Sequence, residues 1–174
     1  NGFVGQHLFN TLLQNKNISL IPFQRDFFDD EPKMDDFVKN CDVIVHLAGL
    51  NRSNDEEVIF NVNISLTKTL ISSLNRTKSK PHIIFASSTQ EYMNNVYGKS
   101  KRHAELELIK ITKDSNMNIS IIRPSLVYGP DVKGNLKLML SGIEKGWFPP
   151  LPETGNKKSM IHVDDLIRAI LMIV

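Results

Sequence analysis

The feature that most limits what this chain can fold into is its repeated alternation of short apolar runs with longer amphipathic stretches. Residues 42–48 read Asp-Val-Ile-Val-His-Leu-Ala, residues 82–86 read His-Ile-Ile-Phe-Ala, and residues 119–123 read Ile-Ser-Ile-Ile-Arg. Each run is the length of a strand and largely apolar on both of its faces, which suits strands buried on both sides of a parallel sheet. Between them, Ile59, Val62, Leu66, Leu70 and Leu74 recur at helical spacing over residues 56–74, and residues 97–112 read as a second long helix. Parallel neighbours need crossover connections, and right-handed crossovers wind helices onto both faces of the sheet. The expected class is therefore α/β with a doubly wound parallel sheet. Its ligand crevice would lie outside the carboxyl ends of the strands, so chemistry-bearing motifs should follow strands directly.

The remaining segments complete the alternation. Leu8, Leu12 and Leu13 predict a helix from the start of the chain to about residue 15. Residues 18–23 read as a short strand, 34–40 as a short helix, and 124–130 as a turn-rich exit bounded by prolines. Residues 136–145 read as helix, 149–152 as an extended proline-rich loop, and 160–163 as a lead into a helix from Asp164. There is no internal repeat.

Composition excludes several classes. At 174 residues with 41% hydrophobic and 23% charged content, the chain can bury the core of one domain. The 21 basic and 19 acidic residues are intermixed, so no basic stripe marks a nucleic-acid surface. Cys41 stands alone and no Cys/His cluster has metal-ligand spacing, so a reducing compartment and a metal-free site are expected. No apolar stretch is long enough to span a bilayer and no leader is visible, which predicts a cytoplasmic protein without a membrane partner. Five Asn-x-Ser/Thr triplets, starting at Asn17, Asn51, Asn63, Asn75 and Asn118, reflect an asparagine-rich composition.

Several motifs sit where the crevice should be. Gly2-Phe3-Val4-Gly5 precedes a helix; bare backbone at such an entrance lets a pyrophosphate approach the helix N-terminus, although alone the pair is also an ordinary helix-entry turn. Tyr97 and Lys101 stand at i and i+4 on one helix face. An adjacent ammonium would favour the phenolate, and so make Tyr97 a candidate acid/base. The same spacing occurs on solvated helix faces, so it gains weight only from its company. His46 closes a buried strand and reads as a packed, hydrogen-bonded histidine at the edge of that pocket.

The ordered set is Gly2-x-x-Gly5, then His46-Leu47-Ala48-Gly49 at a strand end, Val62-Asn63 in a helix, Ser87-Ser88 at a strand end, Tyr97-x-x-x-Lys101, and Arg123-Pro124. Together with Val127-Tyr128-Gly129-Pro130 and His162-Val163-Asp164-Asp165, it resembles the extended short-chain dehydrogenase/reductase superfamily, the NAD-dependent epimerase/dehydratase type, over essentially the whole chain. The resemblance implies a Rossmann-type fold over residues 1–130 lacking its first strand, part of a substrate-binding region over 131–158, and a return to the core over 159–174. It implies a bound NAD or NADP held by Gly2, Phe3, Val4, Gly5, Leu47, Ala48, Gly49, Asn63, Tyr97, Lys101 and Pro124. Tyr97 would be the acid/base, with Ser88, or Thr89 if the loop is shifted by one, on the reacting oxygen. The missing strand and first glycine imply a natural chain that starts earlier, and a further segment after Val174 is expected to close over the sugar.

Residues 22–26 read Pro-Phe-Gln-Arg-Asp where the second strand of such a sheet ends. An acid there selects NAD and an arginine accommodates the 2′-phosphate of NADP, so Arg25 tilts the expectation toward NADP. Thr89-Gln90-Glu91 lacks the Asp-Glu pair of the family's dehydratases. The segment Val132-Lys133-Gly134-Asn135-Leu136 resembles surface-polysaccharide enzymes that epimerise or reduce UDP-sugars at C4, with Asn135 the candidate sugar-nucleotide contact. A nucleotide-sugar enzyme, with a homodimer left open, is the leading expectation. A non-catalytic dinucleotide-binding sensor or assembly subunit on the same fold is the alternative.

Overall fold

The computed structural model describes residues 2–132, 134–147, 155 and 157–174. Helix α1 (Phe3–Leu12) follows Gly2, whose backbone is extended. A 3-10 turn (Arg25–Asp29) leads into α2 (Glu31–Lys39), which Asp30 caps by accepting from Lys33 N and which Pro32 starts without loss of a helical hydrogen bond. Then come β1 (Val43–His46), α3 (Glu56–Thr77), β2 (His82–Ala86) and a second 3-10 turn (Thr89–Tyr92). Helix α4 (Val96–Ser115), β3 (Ile119–Ile122), β4 (Leu126–Tyr128), α5 (Asn135–Glu144), β5 (Met160–His162) and α6 (Val163–Leu171) complete the order.

Strands β1, β2 and β3 form a parallel sheet in that order, with Val45 opposite Ile84 and Ile84 opposite Ser120. Alternation along the strands sends side chains to two cores. Ile44, Ile83 and Phe85 join Met34 and Val38 of α2, Leu70 and Leu74 of α3, and Leu108 of α4 on one face. Ile84, with Val43 and Val45 beside it, meets Leu8 of α1 and Leu166, Ile167 and Ile170 of α6 on the other. The sheet is thus covered on both faces, and this is why its strands read as unbroken apolar runs. Cys41 packs at the edge of the first core, and burial pushes its thiol up to about 11.

Two expectations are corrected. Residues 18–23 form no strand; a strand exists only through its ladder to a neighbour, and no described segment pairs with these residues. Residues 124–130 contain more than turns, because β4 pairs in parallel with β5, Leu126 opposite Met160 and Tyr128 opposite His162. Its partner lies more than thirty residues away, beyond the reach of local patterning. The loop expected at 149–152, and Lys133 in the motif before α5, fall outside the described residues. Among the described residues no helix is long and apolar enough to cross a membrane.

Candidate active site

Because β1 and β2 run parallel with His46 opposite Phe85, their carboxyl ends open side by side and release Leu47-Ala48-Gly49 and Ala86-Ser87-Ser88 into one crevice. Helix α4 enters over it, started by Asn95, whose Oδ1 accepts from Gly98 N at 2.7 Å. Its second turn delivers Lys101, which is buried; Nζ donates to Ala86 O at 2.8 Å and lies 4.9 Å from the centre of the Phe85 ring and 6.0 Å from that of Tyr97. Burial lowers the Lys101 pKa to about 8, with Glu105 acting in the opposite sense.

Asn63 of α3 ties the loop after β1 to α4. Its Oδ1 accepts from Leu50 N at 2.6 Å, and its Nδ2 donates to Leu50 O and to Ser100 Oγ, each at 2.9 Å. Ser100 Oγ donates onward to Tyr97 O at 2.7 Å. A Cβ at Gly49 would stand 3.2 Å from Lys101 Nζ and 3.3 Å from Asn63 Oδ1, so Gly49 is part of the same cluster.

Ser88 is buried and accepts from Gln90 N at 3.2 Å as the cap of the 89–92 turn, an arrangement that leaves its hydroxyl proton to donate elsewhere. The loop is fixed to β3 by Ser87 N on Ile122 O at 2.8 Å and by Thr89 N on Pro124 O at 3.2 Å. Thr89 itself is exposed. Among the described residues, Ser87 Oγ is buried without a hydrogen-bond partner. Burial pushes the Tyr97 phenol above its usual value, so without a cationic nicotinamide beside it the phenol is held neutral.

His46 is as packed as the sequence suggested. It stacks on Phe85 with ring centres 5.5 Å apart and stands 3.5 Å from Thr67 Oγ1; burial, reinforced by Lys101, lowers its pKa to about 3. At the other motif, Gly2 O accepts from Gln6 N at 3.0 Å, the space at the Gly2 Cβ position is open, and a Cβ at Gly5 would lie 3.9 Å from Leu47 Cδ1. The first turn of α1, with Phe3 and Val4, therefore reaches the end of β1.

Two of the expected residues stand apart from this cluster. Arg25 is exposed at the start of its 3-10 turn and, among the described residues, bonds to none of the others. Asn135 is joined, among the described residues, to the β1 loop through Arg52, whose Nη1 donates to Asn135 Oδ1 at 3.2 Å. Arg52 was not singled out by its sequence, and neither was Gly98. Gly134 has φ +74, and a Cβ there would come within 2.5 Å of Arg52 Nη1. A Cβ at Gly98 would stand 2.0 Å from Gln90 O. The nine positions from Ser88 to Tyr97 are the signal that could have found Gly98, since so short a return forces turn and helix into contact. A groove of 460 Å³ lined by Phe28, Asn61, Lys68 and Arg76 lies between the 25–29 turn and α3 and holds none of the named residues. Among the described residues no group of His, Cys, Asp or Glu could hold a metal ion.

A parallel sheet wound on both faces, with a Tyr-x-x-x-Lys helix laid over its strand ends, defines a Rossmann-type α/β domain of the extended short-chain dehydrogenase/reductase class. The chain belongs to the NAD dependent epimerase/dehydratase family, whose model matches residues 1–174. It is 27% identical over 177 residues to a UDP-2-acetamido-2,6-beta-L-arabino-hexul-4-ose reductase of Pseudomonas aeruginosa, covering 99% of this chain and 47% of that protein. It is also 27% identical over 197 residues to an N-acetyl-alpha-D-glucosaminyl-diphospho-ditrans,octacis-undecaprenol 4-epimerase of Escherichia coli O157:H7, covering 97% and 59%. The chain thus spans about half the length of these curated relatives. The fold is shared with the UDP-N-acetylglucosamine 4-epimerase from Bacillus cereus, at a TM-score of 0.83, 17% identity and coverage of 98% of this chain and 68% of that one.

Proposed function

We propose that the full-length protein carrying this chain is an NAD(P)-dependent enzyme that moves hydride at C4 of a nucleotide-activated sugar, by reducing a 4-keto group or by reversible oxidation in an epimerisation. The observation that carries this reading is Lys101, whose ammonium lies beside Gly49 at the end of β1, bonds to Ala86 O at the end of β2, and stands 6.0 Å from the Tyr97 ring. The reductase relative is named for a UDP-linked keto sugar, which supports the nucleotide-sugar class. The 4-epimerase relative is named for a sugar linked through diphosphate to undecaprenol, so C4 chemistry on a diphosphate-linked sugar is what the two names share, and a role in surface-polysaccharide precursor synthesis is part of the same proposal.

The residues present fit a dinucleotide. The missing Cβ of Gly49 keeps the approach to Lys101 and Asn63 clear, the space at Gly2 is open, and the buried, unpartnered Ser87 Oγ leaves one polar group for a ligand to satisfy. Gly2 to Gly5 would take its pyrophosphate at the N-terminus of α1, Leu47 to Gly49 would line its path, and Lys101 would hold its nicotinamide ribose. When bound, the nicotinamide supplies or accepts the hydride. Ser88 would donate its hydroxyl proton to the sugar O4, and Tyr97 Oη would pass a proton to or from that oxygen. A phenol that burial keeps neutral is ready to protonate an oxygen as negative charge develops on it, which suits the reductive direction. The oxidative direction needs the phenolate, which a cationic nicotinamide and the Lys101 ammonium would favour. Thr89 and Gln90, exposed after Ser88, are uncharged and provide no acid for eliminating water.

The test is incubation of the full-length protein with UDP-GlcNAc, UDP-glucose and 4-keto-6-deoxy sugar nucleotides, with NAD(H) or NADP(H). A reductase consumes reduced cofactor in step with product; an epimerase regenerates it. Tight cofactor binding without turnover on any of them favours the sensor in its place.

A further inference from the structure

Glu91 is a buried carboxylate that the proposed chemistry does not use. Only 2% of its side chain is exposed, and it lies 3.3 Å from Arg102 Nη1 of α4 and 3.3 Å from Arg123 Nε at the exit of β3. Arg123 also forks onto Glu105 of α4, with Nε 2.9 Å from Oε1 and Nη2 2.5 Å from Oε2. Taking a carboxylate out of water costs several kcal/mol unless charge partners compensate. Here the compensation comes from two elements other than the one that carries it.

The 89–92 turn is held mainly by polar and charged contacts. Its apolar members face solvent, with Tyr92 74% and the following Met93 56% exposed, so hydrophobic packing does not anchor it. It is held instead by the close approach of Gln90 O to Gly98, the bond from Thr89 N to Pro124 O, a bond from Asn95 Nδ2 to Gln90 Oε1 at 3.4 Å, Arg123 over the Tyr92 ring at 5.9 Å, and the Glu91 ion pairs, the last being its contacts through a buried charge. Ser88 caps this turn, and the helix on the far side of the ion pair carries Tyr97.

We propose that Glu91 is a positioning residue: by pairing with Arg102 and Arg123 it latches the turn after Ser88 onto α4 and so sets the placement of the Ser88 hydroxyl relative to the Tyr97 phenol. This rests on the reading that these two groups share a proton-transfer site. A displacement of about 1 Å in such a site lowers turnover on the order of 100-fold, whereas binding of cofactor and sugar at other atoms is unaffected.

The experiment is Glu91→Gln in the full-length protein, with steady-state kinetics, NADPH binding, thermal unfolding and amide hydrogen exchange. The expected result is a kcat lower by about 10-fold or more, with KM and the NADPH Kd within a factor of about two, and faster exchange at residues 89–98 but not in β1 or α3. Arg102→Gln, at an exposed residue that leaves Arg123 in place, should give the same pattern in weaker form if Glu91→Gln does not fold. The double variant should lose less than the product of the two single losses. Asp35→Asn, which breaks the distant lock to Ser73 and Arg76 between α2 and α3, serves as a control that lowers Tm and leaves kcat alone. Unchanged kcat and exchange, or a loss of activity that simply follows Tm as in the control series, overturns the latch. An inactive wild type sinks the nucleotide-sugar reading instead, and the exchange measurement, which needs no substrate, still decides the latch.

Discussion

An ammonium taken out of water must find its hydration elsewhere, and at Lys101 the replacements are Ala86 O at 2.8 Å and the face of Phe85 at 4.9 Å. They are incomplete, and the pKa falls from 10.5 to about 8. Between those two values the unfolded chain holds a proton that the native protein has released, so this group makes stability rise with pH across that window, at up to about 1.4 kcal/mol per pH unit. The Cys41 thiol, pushed up from 9.0 to about 11, acts the other way over part of the range. The expectation is therefore for a difference: denaturant unfolding of wild type minus Lys101→Met should climb from about pH 8 to pH 10.5, and a flat difference would mean that Lys101 is not charged and buried as described. His46 has its window on the acid side. Its pKa falls from 6.5 to about 3, so the stability it gives as a neutral ring is complete above pH 6.5 and is lost as the pH drops toward 3. His46→Gln should flatten the acid limb of the stability profile between those values while losing the stack on Phe85 at every pH. The types and spacing of Tyr97, Lys101, Ser88 and Asn63 were legible because each follows a strand or lies on a periodic helix. The protonation of Tyr97 was not, since it depends on burial, which spacing does not encode.

At the scale of elements, the site depends on how closely α4 meets its neighbours. Gly98 lets the helix lie against the 89–92 turn, and any side chain there must displace Gln90 O or the helix. Gly98→Ala should cost about 1–3 kcal/mol as an overpacked contact and lower turnover more than an equally destabilising change at α2, measured by unfolding and kinetics on the same samples. Asn63→Ala removes both bonds to Leu50 and the bond to Ser100, and leaves partly buried backbone groups unpaired at roughly 1–3 kcal/mol. A protein that keeps its cofactor affinity after this change would show that the β1 loop does not need the Asn63 clamp. The helices and the three core strands were readable because apolar periodicity and strand length are local properties. The failure at residues 18–23 and the hidden strand β4 have one cause: pairing is decided by a partner elsewhere, absent among the described residues in the first case and remote in the second. Gly98 and Arg52 escaped for a related reason, as both act through contacts between segments brought together only by the fold.

At the scale of the whole molecule, the parallel sheet places the α1 entrance, the ends of β1 and β2, and the start of α4 around one opening, and a ligand that spans them binds the native state alone. Such a ligand adds stability by mass action, about 2.7 kcal/mol when present at 100 times its Kd, so cofactor binding to the full-length protein is readable as a rise in Tm even where no substrate is known. Which dinucleotide gives the larger rise bears on Arg25. That side chain is exposed at the start of its 3-10 turn, apart from the strand-end cluster, and among the described residues is in no ion pair; on the proposed reading its guanidinium would be the group that meets a 2′-phosphate. A phosphate paired with an arginine contributes a charge-assisted, bidentate contact that the 2′-hydroxyl of NAD cannot match. NADPH should therefore raise Tm more than NADH at equal concentration, and Arg25→Ala should remove that difference by weakening NADPH binding about 10-fold or more while leaving NADH unchanged. Equal shifts in the wild type, or a preference that survives Arg25→Ala, would take the phosphate contact away from Arg25 and leave the choice of cofactor to the residues of the crevice.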